Sequence, residues 1–103
     1  MEIYWLEKSS RKDKKLMVRK QYPEEEGKRI QFGASGYQDF TQHQDEKRKE
    51  NYIKRHEKNE NWNDLTTAGA WSKGILWNQK TLYDSIKNME QNFNIIIIVI
   101  GKI

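Results

Sequence analysis

Six cations, three tryptophans, two histidines and one glycine-rich turn are the groups in this sequence with chemistry to offer. Lys47, Arg48, Lys49, Lys54, Arg55 and Lys58 crowd into one short segment. Lys47, Lys54 and Lys58 are spaced by seven and four residues, which on a helix makes a single stripe. Ammonium groups along such a stripe can meet successive phosphates and release the counterions held there. Glu46, Glu50, Glu57 and Glu60 lie in the same segment and can pair with those cations at i,i+4 spacing, as on any solvated helix face. Trp62, Trp71 and Trp77 could stack on bases. In a chain short of aliphatic residues they equally suit a core. The residues nominated for contact with nucleic acid are Lys47, Lys54, Arg55, Lys58 and Lys73.

Asp39, His43 and His56 could bind a divalent metal or serve an HNH-type nuclease, because both histidines have carboxylates close by. Against that, the histidines are thirteen residues apart, with no third histidine, no cysteine and no recognisable ligand spacing. A helix would put His56 on the face of Tyr52, where a partly buried, hydrogen-bonded ring is the plainer expectation. Gly33-Ala34-Ser35-Gly36 could offer backbone amides to a phosphate. The Gly-Lys-Ser/Thr that a P-loop needs at a helix start does not follow, so a strand-ending turn is expected. No order of serine, histidine and aspartate marks a nucleophile. The sequence therefore predicts no enzyme, no metal and no cofactor.

The elements that must position these groups come from a chain of 103 residues, near the common size of one domain. Apolar residues make up 35% and charged residues 33%, so much of the burial must fall to the aromatic rings. A net charge of +4 favours polyanions weakly. The absence of cysteine excludes disulfides and fits an intracellular protein. The first residues lack the order of a signal peptide. Ile95–Ile100 is far shorter than the roughly 20 residues that span a bilayer, so no membrane is expected among the partners.

Taken in order, residues 3–6 and 16–18 are short apolar runs and residues 28–32 alternate charged and apolar; with turn residues between them they predict an antiparallel meander. Pro23 and Gly27 bracket the acidic Glu24-Glu25-Glu26 in its second turn. Residues 37–44 read as an ordered loop anchored by Tyr37 and Phe40. Asp45 caps a helix expected to run to about Glu60, with Tyr52, Ile53 and His56 on its inner face. Arg48, one turn earlier on that side, calls for a carboxylate or a carbonyl, with Asp39, Asp45 and Asp64 as the candidates. A short helix is predicted over residues 68–77. A more regular one begins at Thr81, on which Leu82, Ile86, Met89 and Phe93 share a stripe. Trp71 and Trp77 are the expected core rings. The run Ile95–Ile100 adds an edge strand, contacts another chain, or trails disordered.

Several short motifs recur together: Phe32-Gly33-Ala34, Tyr37-x-Asp39-Phe40-Thr41-x-His43-x-Asp45, and Arg48-x-x-x-Tyr52-x-x-Arg55-His56. They continue with Glu60-x-Trp62, Ala68-Gly69-x-Trp71-Ser72, Leu76-Trp77-Asn78, Thr81 and Ser85-Ile86. Through this combination, residues 32–85 resemble a family of small uncharacterised proteins encoded by large nucleocytoplasmic DNA viruses of algae and amoebae. Lys73-Gly74 departs from the resemblance, which leads one to expect an arginine and a bulkier residue. The asparagine- and isoleucine-rich end from Asn92 lies outside it and reads like the product of an AT-rich genome. The resemblance implies a setting, the host cytoplasm or nucleus or the virion interior. It implies no activity.

The expected fold is α+β: a small N-terminal antiparallel sheet of about three strands, then two or three helices in the tryptophan-rich segment. Residues 1–94 form one domain and 95–103 an apolar tail. The expected function is that of a non-enzymatic, basic viral accessory protein binding nucleic acid without sequence specificity. The alternative is a structural or interaction protein, such as a minor virion component, held by viral or host proteins or by its own copies through Ile95–Ile100. A metal-dependent nuclease is the outsider.

Overall fold

The computed structural model describes residues 1–21 and 28–103. The acidic segment between Pro23 and Gly27 lies outside the described residues. Strands β1 (Glu2–Lys8), β2 (Lys14–Lys20), β3 (Ile30–Ala34) and β4 (Ile95–Ile100) form one sheet in the order β3-β2-β1-β4. The architecture is α+β, and β1, β2 and β3 make the antiparallel meander that three short runs with turn residues between them predict. Tyr4 and Leu6, Leu16 and Val18, and Phe32 turn to one face and are buried there. Between them Trp5 sits opposite Arg19, whose guanidinium lies 4.0 Å over the indole ring.

The fourth strand raises the count by one and changes the pairing. β4 is an edge strand running parallel to β1, from Glu2 beside Ile95 to Glu7 beside Ile100. Ile95 and Ile97 are buried in the core, whereas Ile96, Ile98, Val99 and Ile100 are exposed. Over the four isoleucines 95–98 the alternating burial comes from the pleat, because nothing in the side chains distinguishes the two faces, and at Val99 the alternation ends. The amide of Ile97 donates to Glu90 Oε2 at 3.0 Å.

The helices are α1 (Phe40–His43), α2 (Glu46–His56), α3 (Ala68–Trp71) and α4 (Leu82–Phe93). Helix α1 stands where a loop is expected. Asp39 accepts from Thr41 N at 2.9 Å while Gln42 accepts from Asp39 N at 3.0 Å, a capping box that fixes one helical turn. Phe40 anchors that turn, but Tyr37 is 75% exposed. It sits just before the cap, where the buried Asp39 takes over the anchoring. Helix α2 stops at His56, short of Glu60, and turns follow: Asn59 N donates to His56 O, and the Asn61 side chain accepts from Asn63 N in place of a helical bond.

The helix expected over residues 68–77 changes pitch halfway. After Trp71 the chain widens into a π-helical turn, Ser72–Leu76, closed by Trp77 N donating to Ser72 O at 3.2 Å. Gly74 lies in that turn, and a Cβ there would stand 2.7 Å from Met89 Sδ. Glycine lets the turn close against α4. Thr81 caps α4 by accepting from Asp84 N at 3.1 Å, and Met89 on its stripe is buried. Asn94, left-handed at φ 54°, ends α4 and turns the chain directly into β4. Trp71 is fully buried at the centre, 4.9 Å from the ring of Tyr4, with its Nε1 donating to Leu65 O at 2.9 Å. Trp77 packs on the core only partly buried.

Candidate nucleic-acid interface

A cavity of about 320 Å³ opens between the end of β3, the turn carrying Tyr37 and the inner face of α2. Its chemistry is set by Lys14 and Lys15 of β2, Asp39, Arg55 and His56 of α2, and Glu60. Asp39 is 3% exposed and fully used: one oxygen serves the helix cap, the other accepts from Lys15 Nζ at 2.7 Å. Glu60 accepts from Trp62 Nε1 at 2.8 Å and lies 3.5 Å from His56 Nδ1. Each anion of the groove thus has its partner. Lys14 and Arg55 have neither an ion pair nor a side-chain hydrogen bond among the described residues, and Tyr37 stands exposed at the same mouth. Two unpaired cations beside an open ring suit a chain of phosphates and bases.

Both histidines serve aromatic packing. His56 lies 4.3 Å from Tyr52, and Tyr52 stacks parallel on Trp77 at 4.3 Å. Trp77 in turn lies 5.3 Å from His43, which meets Phe40 edge-on at 6.1 Å. This row of rings ties α2 to the π-helical turn, and Tyr52 hydroxyl donates to Ser72 Oγ at 3.3 Å across the same joint. Burial in that joint pushes the Tyr52 pKa above its usual value. Asp39, His43 and His56 do not converge. Among the described residues no three histidine, cysteine, aspartate or glutamate side chains gather where a metal could sit.

The structure divides the nominated cations into three groups. Lys47 and Lys54 share Glu50, at 3.9 Å and 3.0 Å, and the Lys54 hydrogen bond holds the Glu50 carboxyl below its usual pKa. Both lysines are well exposed, so the screened pairs leave much of their charge available. Lys58 is exposed and unpaired among the described residues, and Arg55 belongs to the groove. Lys73 stands apart beyond α3, with its Nζ 5.4 Å over the Trp62 ring. Of the remaining cations, Lys49 turns inward to donate to Asn78 O at 2.6 Å, and Arg48 donates to Gln38 Oε1 at 3.3 Å. The partner of Arg48 is therefore a side-chain carbonyl and none of the three aspartates. Spacing alone does not single out Lys14, since it stands forty-one residues before Arg55 and only the fold joins the two.

Residues 5–56 match the model of a family of unknown function (DUF5754). The chain belongs to that family. The DUF5754 segment begins at Trp5 in β1 and ends with the last residue of α2, so it carries three strands and the cationic helix. No curated protein and no solved structure matches the chain. Among the described residues, no helix is long and apolar enough to cross a membrane.

Proposed function

We propose that this protein binds nucleic acid without sequence specificity, as a non-enzymatic accessory protein of a large DNA virus. The observation that carries the binding reading is the groove in which Lys14 and Arg55 remain unpaired beside the exposed Tyr37 ring. Lys58, exposed and unpaired among the described residues, stands three residues after Arg55 in the turn that follows α2, and Lys47 and Lys54 add exposed charge along the helix. An open aromatic ring and a cationic track favour single strands, whose bases are free to stack. The viral setting rests on the resemblance of residues 32–85 and on the asparagine- and isoleucine-rich C-terminal segment. That setting corresponds to the host cytoplasm or nucleus, or to the virion interior.

The test is a gel-shift titration with unrelated single-stranded oligonucleotides at two salt concentrations. Replacing Lys14, Arg55 and Lys58 together with glutamine is expected to weaken binding equally for all sequences. It should also flatten the dependence of log K on log salt, by roughly 0.7 on single strands for each phosphate the variant fails to neutralise. Lys47→Gln with Lys54→Gln should cost less, because Glu50 already offsets part of their charge. Absence of binding by the parent at ~50 mM salt, where weak electrostatic contacts still register, overturns the proposal.

One observation favours the second reading, a structural protein that assembles with other proteins or its own copies. Ile96, Ile98 and Ile100 project from β4 as exposed apolar side chains in one row. Sedimentation across a range of concentrations, without nucleic acid, distinguishes an assembling protein from a monomer.

A further inference from the structure

Lys73 is half-buried and has no ion pair or hydrogen bond among the described residues. It reaches into a cavity of about 370 Å³ between the 62–63 turn, the far side of the α3 segment and the end of α4. The walls that carry polar groups are Asn63, Asn78 and Asn92, and Trp62 forms a flat side. Lys49 stands behind the Asn78 wall without lining the cavity, its Nζ bonded to the carbonyl of Asn78. Among the described residues no carboxylate pairs with either ammonium group: Glu50 is taken by Lys47 and Lys54, and Glu60 by Trp62 and His56. Burial first and the Lys49 charge second push the Lys73 pKa below its usual value.

A pocket lined by one ammonium group and neutral amides, with a second ammonium behind one wall, is complementary to a small dianion. The side-chain amide of Asn63 makes no hydrogen bond among the described residues, and Asn92 Nδ2 has given only one bond, to Asn88 Oδ1 at 2.9 Å. Their remaining N–H groups and the three on Lys73 can bind oxygen. A phosphomonoester presents three acceptor oxygens and close to two negative charges at neutral pH, where a phosphodiester or a carboxylate presents one. We propose that the Lys73 pocket is a binding site for a phosphomonoester. Its lining takes Ala70 of α3 and Gly74 of the π-helical turn, whereas the groove uses Gly69 and Ser72 of the same two elements. The site therefore stands or falls separately from binding along the groove.

The chemistry has two sources, a free nucleotide or the phosphorylated end of a nucleic acid strand. Methyl phosphate serves as the first probe, followed through the assigned NMR signals of the Trp62 indole N–H and the Asn63 and Asn92 side-chain amides. The expected result is saturable shifts at those three groups. Affinity should fall about ten- to hundredfold in Lys73→Gln, the effect of losing a hydrogen bond to a charged group, and be largely retained in Lys73→Arg. Dimethyl phosphate should bind more weakly than methyl phosphate. A nucleoside monophosphate and a 5′-phosphorylated oligonucleotide, each compared with its 5′-hydroxyl counterpart, then separate the two sources. Shifts that do not saturate, equal binding of the two methyl esters, or equal affinity of the parent and Lys73→Gln each overturn the proposal.

Discussion

His43 shows how one side chain suggests a site and serves the fold. Its Nδ1 accepts the backbone N–H of Asp45 at 2.9 Å, so the neutral ring carries its proton on Nε2, which is buried without a partner among the described residues. Burial first, and the Arg48 charge next, lower its pKa below the usual 6.5. Protonation would abolish the acceptor at Nδ1. In the unfolded chain the ring titrates near 6.5, so its contribution to stability is fully present above that pH and is lost as pH falls towards the lower folded value. The carboxyls of Glu2 and Glu50, held below the usual 4.5 by hydrogen bonds from Lys20 and Lys54, act in a more acidic window. Substituting His43→Phe keeps a ring against Phe40 and Trp77 and removes the titration. Urea unfolding at about pH 7.5 and about pH 5.5, on either side of the unfolded value, should show the parent losing stability and the variant losing less. Equal losses would remove His43 from the account. In the sequence, Asp39 and His43 resemble a pair for metal or nuclease chemistry. Their four-residue spacing is also that of a capped helical turn, and that is the use made of it.

At the scale of elements, β4 decides most. It pairs with β1 along six positions and places Ile95 and Ile97 in the core. Deleting residues 95–103 is therefore expected to unfold the protein, through loss of two buried isoleucines, each worth about 1.5–3 kcal/mol, and of a whole ladder of hydrogen bonds. Circular dichroism of the truncated chain checks this, and a native-like melting transition would make β4 dispensable. Elements governed by local chemistry are legible in the sequence: α4 in its Thr81 cap and apolar stripe, and β1 to β3 in their short runs with turn residues between them. The fate of the isoleucine run narrows only to three outcomes, because pairing with β1 depends on residues more than ninety positions away. The π-helical turn is not legible either, since it follows from Gly74 meeting Met89 across a gap in sequence. The same reason hides the groove, whose unpaired cations come from β2 and α2 and are selected by what Asp39 and Glu60 already bind.

At the scale of the molecule, the DUF5754 segment carries Lys14, Lys47, Lys54 and Arg55 but only part of the core. Trp71, Ile75, Leu76, Met89, Ile95 and Ile97 complete that core from beyond residue 56. The same completion leaves an open strand edge, and the contact between Glu90 and the Ile97 amide sits on it. An incoming extended chain must find unsatisfied backbone donors in register to dock on such an edge. One donor is already engaged, and the engaging group is a carboxylate that an arriving carbonyl would have to displace while facing like polarity. Glu90 is therefore expected to act as a gatekeeper against fibre growth, since six consecutive apolar residues have the composition of a cross-β spine. Replacing Glu90→Ala is expected to shorten the lag of thioflavin-positive fibre formation during prolonged agitation, with Glu90→Gln, which keeps an acceptor oxygen, in between. Identical lag times for all three proteins would assign the resistance to some other feature of the edge. A single side chain, four residues before its helix turns into the strand, would thus separate a folded monomer from a filament.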